Sequence, residues 1–200
     1  DRYHHGDLAN TLRQVAADVI TERGAAGFSL REVARRAGVS HAAPTHHFGD
    51  ANGLLTAVAI DGFTHLRAAM LAALEEVDDP VDRLALLGRA YVEVAVSNPG
   101  HCAVMFRHDL VDPETEAYQT AGHEAYDVLR STVREFAEAI NPDLEVEEAA
   151  RLCWATMQGL IQLHPNMVEL AEETGASPVA DIGTVADSFT RLVIDGLRRA

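Results

Sequence analysis

Residues Phe28–Leu55 read FSLREVARRAGVSHAAPTHHFGDANGLL, and this stretch decides how the rest of the chain is interpreted. Ser29 and Glu32 have the S-x-x-E spacing of a capping box, in which two side chains satisfy backbone N–H groups at a helix start. Gly38 then supplies a turn, and Ser40 is the expected N-cap of a third short helix. Two short helices joined by a glycine turn and followed by a long helix predict a helix-turn-helix, which carries one helix into the DNA major groove.

Signals of helix starts continue along the whole chain. Five prolines follow a capping residue, as helix starts prefer: Asp79-Pro80, Asn98-Pro99, Asp112-Pro113, Asn141-Pro142 and Ser177-Pro178. No long segment alternates with the two-residue period of a strand, so we predict an all-α fold of about nine helices. The expected helices are 6–23, 30–37, a short third helix after Ser40, 50–77, 80–97, 99–108, 113–140, 144–164 and 179–199, with a polar link over 169–177.

Charge divides the chain into two parts. The net charge is -15, and all the basic residues are arginine. Residues 1–55 carry as many arginines as acids, together with several histidines, so the net negative charge lies in residues 56–200. We predict a DNA-binding domain over residues 1–55 and a ligand-binding and dimerisation domain over residues 56–200, with the boundary inside the fourth helix. The acidic domain of residues 56–200, which we call the body, would repel DNA and so discourage binding through any surface other than residues 1–55. Its charge is equally compatible with a role in solubility alone.

The remaining composition indicates a cytoplasmic protein without a cofactor. No stretch has the form of a secretory signal or approaches the roughly 18 apolar residues of a membrane span. Cys102 and Cys153 are two isolated thiols in apolar surroundings, which favours a reducing compartment. No nucleophile motif and no metal-binding motif such as C-x-x-C or H-E-x-x-H is present, so we expect no enzyme and no metal centre.

The segment VSHAAPTHHFGDANGLL resembles the TetR family of bacterial transcriptional regulators. The matching positions are Val39, Ser40, His47, Phe48, Leu54 and Leu55. The resemblance implies a homodimer, a palindromic double-stranded DNA operator, and repression that is relieved by a small ligand bound in the body. Three positions depart from the family pattern, which has Leu, Tyr and Lys where this chain has Pro44, Thr45 and Ala51.

The C-terminal part resembles the subgroup of this family that carries a Trp-x-x-x-His-Gly signature. Here the signature reads Trp154-Ala-Thr-Met-Gln158-Gly159, with glutamine in place of histidine. The segment Asn98-Pro99…Met105-Phe106 fits the same subgroup.

The expected DNA-binding residues lie on and just before the third helix. His41, Ala42, Thr45 and His46 are candidates for the groove, because His and Thr can bond base edges and Ala leaves room for a thymine methyl group. His47 and Thr45 are expected to contact phosphates by analogy with the family, with Arg35, Arg36 and the Ser40 cap in support. With Ser40 as N-cap, Pro44 is the fourth helical residue, where its missing N–H removes the first intrahelical bond.

Apolar and polarisable residues of the sixth to eighth helices predict a pocket for a partly apolar effector. The candidates are Cys102, Met105, Phe106, Tyr118, His123, Tyr126, Trp154, Met157 and Gln158. Ordinary core packing explains any one of them about as well. The resemblance further implies that the last two helices pair with their symmetry mates, with Ala149, Leu160, Phe189, Val193 and Leu197 as interface candidates that are alternatively packed within the subunit.

Two other functions remain open at this point. One is an all-α small-molecule-binding protein whose N-terminal domain, residues 1–55 or the head, binds DNA weakly or not at all, as Thr45 and Ala51 suggest. The other is a metal-responsive regulator, which is motivated by the ligand types at His101, Cys102, His108, Asp109, His123, Glu124 and Asp127.

Overall fold

The structure is a computed structural model that describes residues 2–175 and 180–200, with side chains from residue 8 onward. These ranges contain no strand, and the predicted all-α fold is confirmed. A 3₁₀ turn, Ala25–Gly27, joins the first two helices. The helices within the described ranges are α1 (Arg2–Arg23), α2 (Leu30–Arg36), α3 (Ala43–Phe48), α4 (Ala51–Ala73), α5 (Pro80–Ser97), α6 (Pro99–Cys102), α7 (Glu116–Ile140), α8 (Val146–Thr174) and α9 (Ile182–Leu197).

The start of α3 differs from the prediction. Ser40 is not its N-cap, because the helix begins after Ala42, and Ser40 accepts from the N–H of Ala43 with its backbone carbonyl, at 3.0 Å. Pro44 is therefore the second helical residue and not the fourth. Its missing N–H removes no helical bond, since the first one runs from His46 N to Ala42 O at 2.9 Å.

The end of α8 also differs, because the helix runs past Pro165 to Thr174. The predicted polar link is therefore helical from Glu169 to Thr174. The stop is Gly175, which has φ 64° and donates its N–H to the carbonyl of Ala171, a common way for a helix to end.

The remaining differences are smaller. α7 begins at Glu116 because the Asp112 carboxylate accepts from Glu114 N at 3.0 Å and shapes a turn. α6 is cut to one turn, after which Val104 N bonds His101 O at 3.1 Å in a tighter turn. α4 ends at Ala73 instead of 77, and α8 begins at Val146 instead of 144. The Ser177-Pro178 start and Val179 lie outside the described residues.

Two compact units can be distinguished. The first comprises residues 1–65 and 97–124, and the second comprises residues 66–96 and 125–200. Helices α4 and α7 therefore each contribute to both units. The division into functional domains at residues 55 and 56 stays a prediction, because these units describe packing and not function.

The core of the first unit includes inward-facing side chains of α1, α2 and α4. Leu12, Val19, Val33, Leu54 and Val58 have no exposed surface. The segment after α6 is tied to α4 by polar side chains: Asn52 Nδ2 donates to Leu110 O at 3.0 Å, and Thr56 Oγ1 accepts from Asp112 N at 2.8 Å. These bonds fix the first turns of α4 within the unit.

The core of the second unit includes Phe136 of α7, which is fully buried. Arg83 holds the connection between α4 and α5, because it donates to the carbonyl of Val77 at 2.8 Å. The same guanidinium donates to Glu135 on α7 at 2.9 Å. One side chain thus satisfies a loop carbonyl and anchors α5 to α7.

Helix α4 is long and apolar enough to cross a membrane by length and composition. Half of the apolar window is buried inside the protein. Leu54, Val58, Phe63, Leu66 and Met70 repeat at helical spacing and are at most 3% exposed. This pattern is that of a core helix.

Gly100 allows α6 to approach α1 closely, because a Cβ there would lie 2.1 Å from the carbonyl oxygen of Ala17. We expect Gly100→Ala to destabilise the protein by about 1–3 kcal/mol, since the backbone cannot give way without moving the helix. Thermal unfolding followed by circular dichroism should show a midpoint lowered by several degrees.

Gly122→Ala in α7 is the matched control. A Cβ there meets Phe63 no closer than 3.7 Å, an ordinary contact, and alanine favours the helix by about 0.5–1 kcal/mol. The control should unfold at or above the wild-type midpoint. Equal midpoints for both variants would contradict the proposed close contact at Gly100.

Candidate DNA-binding face and ligand cavity

The turn between α2 and α3 is set by local bonds. Ser29 Oγ accepts from Glu32 N at 3.3 Å, which confirms the side-chain cap of α2. Gly38 has φ 68°, a conformation that glycine adopts without strain, and Val39 N bonds Ala34 O at 3.0 Å. The chain therefore leaves α2 through a fixed turn.

The junction between α3 and α4 is equally constrained. Gly49 has φ 80°, and the Asp50 carboxylate caps α4 by accepting from Gly53 N at 2.9 Å. A Cβ at position 53 would lie 2.0 Å from the carbonyl oxygen of Phe48. Only glycine fits there, so α3 and α4 meet at a fixed angle. Gly53 was not among the predicted residues, although a glycine in the first turn of a helix after a capping aspartate is a recognisable signal.

Most predicted DNA-binding residues share one exposed surface. We call Ser40, His41, Ala42, Thr45 and His46 the recognition face, and all five are exposed. Pro44, in the same helix, points into the core and is buried. The structure thus exposes these five residues on α3 and on the turn that precedes it.

His47 and Phe48 lie beside the recognition face and are half-buried. The His46 and His47 rings meet edge to face with centroids 5.5 Å apart.

The two predicted arginines are held by carboxylates. Glu32 accepts from Arg35 Nε at 2.8 Å and from Arg36 Nε at 2.9 Å. Arg36 also forms a two-bond pair with Glu22 of α1, at 2.6 and 2.8 Å. Arg23 lies 3.2 Å from Glu32 and completes what we call the arginine network. The network joins α1 to α2, which the sequence analysis did not foresee.

The network shifts the pKa values of its members. Hydrogen bonds from Arg35 and Arg36 lower the pKa of Glu32 from its ordinary 4.5 to about 2. The bond from Arg36 likewise lowers the pKa of Glu22, and donation to both acids raises the pKa of Arg36. The charges of Arg35 and Arg36 are thus largely compensated by Glu22 and Glu32.

A cavity of about 30 Å³ lies within the second unit. Trp154 and Met157, both predicted ligand residues, form part of its wall, and the predicted interface residue Val193 lines it as well. The other wall residues were not predicted: Met70 of α4, Leu84, Leu87, Gly88 and Tyr91 of α5, Leu129 of α7, Cys153 of α8, and Thr190 and Ile194 of α9. Their apolar spacing does not distinguish them from ordinary core residues. A glycine inside an amphipathic helix, as at Gly88, could however have indicated a place where space is kept open.

Two further predicted ligand residues lie next to this wall. Gln158 Oε1 accepts from the Tyr91 hydroxyl at 2.6 Å, so the half-buried amide has a protein partner. Trp154 meets Tyr91 edge to face with ring centroids 5.6 Å apart, and Tyr126 at 5.5 Å. The cavity is bordered on this side by three aromatic rings and one amide.

The other predicted ligand residues do not line this cavity. Phe106 and Tyr118 pack against Phe63 in the core of the first unit, with ring centroids 5.3 and 5.6 Å from it. The Tyr118 hydroxyl donates to Met105 O at 2.7 Å, so its polar end is satisfied. His123 is exposed on α7.

The predicted dimer residues are mostly inside the subunit. Ala149, Leu160 and Leu197 are each 3% exposed and have almost no surface to offer a second copy. Phe189 is half-buried. Large exposed apolar side chains occur elsewhere on α8 and α9, at Leu152, Leu163, Met167, Leu170 and Leu192.

No group of three or more metal-ligand side chains occurs among the described residues. Burial raises the pKa of both Cys102 and Cys153 to about 11, so each is a protonated thiol at neutral pH. His101 is 5% exposed, and burial together with the neighbouring His65 lowers its pKa, which favours a neutral imidazole.

An exposed short helix held after a glycine turn, in a chain whose second helical unit contains a cavity, is typical of a helix-turn-helix regulator. Residues 12–58 match the family described as "Bacterial regulatory proteins, tetR family", and residues 84–192 match the "Tetracyclin repressor-like, C-terminal domain". The chain belongs to the TetR family and is a DNA-binding transcriptional regulator. The Trp-x-x-x-His-Gly subgroup stays a prediction.

Similar proteins span nearly the whole chain. A solved protein of unknown function from Rhodococcus sp. RHA1 is 32% identical, with TM-score 0.79 and 98% of each chain covered. HTH-type transcriptional regulator Rv1816 of Mycobacterium tuberculosis is 25% identical over 88% of this chain and 86% of its own. FadR from Bacillus subtilis, solved in complex with stearoyl-CoA, shares the fold at 14% identity and TM-score 0.71, over 94% of this chain and 98% of its own.

The arginine network should make the stability of the head depend on acidity. The pKa of Glu32 is lower in the folded protein than in the unfolded chain, so its contribution is present above about pH 4.5 and is lost as the pH falls towards 2. Glu32→Gln should lower the thermal midpoint at pH 7, and this difference from wild type should shrink as the pH approaches 2. Glu138→Gln, at an exposed position on α7, is the control; a difference for Glu32→Gln that stays constant with pH contradicts the assigned role.

Proposed function

We propose that this regulator is a repressor that binds a palindromic operator as a homodimer and leaves it when a small molecule occupies the cavity. The observation that carries the proposal is the exposed recognition face, which Gly38, Gly49 and Gly53 hold in a fixed orientation on α4. Two such faces reach successive major grooves when the dimer holds them about 34–36 Å apart.

Direct contacts should dominate the affinity for the operator. Arg35 and Arg36 of α2 are paired with Glu32, and Arg36 also with Glu22, although Arg35 keeps 64% of its side chain exposed and can turn towards a phosphate. Base edges are left to His41, Ala42 and His46, and phosphates to Ser40, Thr45 and His47. Each neutralised phosphate steepens the logarithmic salt dependence by about 0.9, so a head with compensated arginines should show a shallow slope.

The test begins with genomic DNA fragments selected on the purified protein. Thr45→Ala and His46→Ala should each weaken binding to a selected fragment by about 5- to 100-fold, because the dimer loses one hydrogen bond of about 0.5–1.5 kcal/mol in each subunit. Fluorescence anisotropy with labelled fragments measures the affinity. Thr120→Ala, at an exposed site on α7, is the control and should bind like wild type.

Failure to bind any fragment at low salt would overturn the repressor proposal. It would favour the alternative function, a small-molecule-binding protein with a silent head, for which the compensated arginines are the supporting observation. Normal affinity in both recognition-face variants would instead mean that another surface reads the DNA.

The homodimer is proposed to form through exposed apolar side chains of the last two helices. Leu163, Met167 and Leu170 lie at i, i+4 and i+7 on one face of α8, and Leu163 is 58% exposed. On α9, Leu192 is 71% exposed. Contiguous apolar surface of this kind marks protein interfaces. Gly159 of α8 faces open space where a Cβ would meet nothing within 4 Å, so it offers room for a partner helix.

Leu163→Glu combined with Leu192→Glu should convert the dimer into a monomer, because two carboxylates per subunit would have to be desolvated at the contact. Light scattering on a sizing column should report the monomer mass of 21.6 kDa for the variant and twice that for wild type. Leu71→Glu, at a 42% exposed leucine on α4, is the control. A double variant that remains a dimer would place the interface elsewhere.

The effector is proposed to act through α4. Met70 of this helix lines the cavity, and Gly53 at its other end is in contact with α3. A ligand that displaces Met70 shifts α4 and changes the spacing of the two recognition faces in the dimer. FadR from Bacillus subtilis, which has this fold and was solved with stearoyl-CoA, supports a small-molecule effector.

Further parts of the proposal follow from membership in this family. The protein is proposed to act in the cytoplasm, without enzymatic activity or cofactor. Residues 1–55 are proposed as the DNA-binding domain, and residues 56–200 as the ligand-binding and dimerisation domain.

A further inference from the structure

The cavity wall indicates which chemical class of ligand it takes. Of the described residues that line it, none carries a charge. A charged group brought into such a site would lose its hydration without gaining a partner, which is strongly unfavourable. An ionic ligand is therefore rejected by the wall itself.

Thr190 in the cavity wall differs from several other helical threonines in the hydrogen bond that its hydroxyl makes. Other helical threonines, including Thr21, Thr132 and Thr156, donate to the carbonyl four residues earlier at 2.7–3.0 Å. Thr190 is 8% exposed, and its hydroxyl instead points to Met157 Sδ at 4.0 Å. A thioether sulfur is a weak acceptor, so a buried hydroxyl is left with little compensation within the described residues.

The position of Thr190 is tightly set. A Cβ on Gly88 would lie 2.5 Å from the Thr190 hydroxyl oxygen, so glycine at this point of α5 keeps space for that group. Because Met157 has an unbranched, flexible side chain, it can swing aside and release the hydroxyl. The same movement enlarges a cavity whose present 30 Å³ is far below the roughly 300 Å³ of small ligand sites.

We propose that the effector is an uncharged, largely apolar molecule with one oxygen, an alcohol or a ketone, that accepts a hydrogen bond from Thr190 in place of Met157. The inference rests on the proposed function of the cavity as the effector site. Trp154 and Tyr91 offer ring edges and faces to the apolar part of the ligand. Thr190 is thus the residue that determines specificity for an oxygen-bearing ligand.

The test compares probes that share a chain length and differ in charge. Octan-1-ol is titrated into the dimer beside octanoate and octylammonium at pH 7.5. Trp154 is the single tryptophan of the chain and lies in the cavity wall, so its fluorescence reports binding directly. We expect a saturable change with octanol, and at least tenfold weaker responses with both ions. Octanoate or octylammonium binding as tightly as octanol would overturn the proposal.

Thr190→Val tests the hydrogen bond, because valine keeps the shape of threonine without its hydroxyl. The variant should bind octanol about 3- to 10-fold more weakly. Toluene, which is uncharged and has no oxygen, is the matched probe and should bind the variant at least as well as wild type. Equal weakening of both probes would mean that the substitution disturbs the cavity, and unchanged octanol binding would remove Thr190 from its role; either result overturns the assignment.

The outcome can be separated from the proposed function. The protein could bind selected genomic DNA as a dimer and still give no response to octanol or toluene. That result would refute the proposed class of uncharged ligands and leave the repressor proposal standing. Gly88→Leu, which fills the cavity from α5, should abolish the octanol response. A surviving response would place octanol binding outside the cavity and overturn the proposal.

Discussion

The contact between the last carbonyl of α3 and the first turn of α4 constrains the rest of this regulator. Gly53 leaves no room for a side chain, since a Cβ would lie 2.0 Å from the oxygen of Phe48. Gly49 reverses the chain with φ 80°, and Asp50 caps α4. Because all three features lie within five residues, α3 cannot rotate independently of α4. Any movement of α4 therefore becomes a movement of the recognition face.

The fold could be predicted wherever a local signal determines it alone. The Ser29 cap of α2 and the start of α5 at Pro80 are both present as expected, whereas the Glu32 carboxylate of the predicted capping box binds arginines. The prediction that Ser40 caps α3 was wrong. A serine after a glycine turn fits the N-cap pattern whether its side chain or its backbone carbonyl closes the next turn. Pro165 misled in the opposite way, since the apolar positions on either side of it continue one helical face past the proline.

The cavity was predictable only in part, because its walls come from helices that are far apart in sequence. Trp154 and Met157 stood out by residue type, whereas Leu84 and Ile194 have the spacing of ordinary core residues. Tyr118 has the same character as a pocket residue, but its hydroxyl is satisfied by Met105 O at 2.7 Å. Composition does not reveal which buried polar groups already have a partner, and that distinction separates Tyr118 from Thr190.

The arginine network bears on how such a repressor is released. Arg36 donates to Glu22 and Glu32, and residues 1–55 carry as many arginines as acids, so this part of the chain has little net charge with which to hold DNA non-specifically. Affinity must then come from direct contacts made by two recognition faces at once. A change in their spacing removes one half-site, and the remaining half-site receives little electrostatic support. Under the proposed mechanism, a modest displacement of α4 would free the operator more readily than it would free a strongly basic DNA-binding domain.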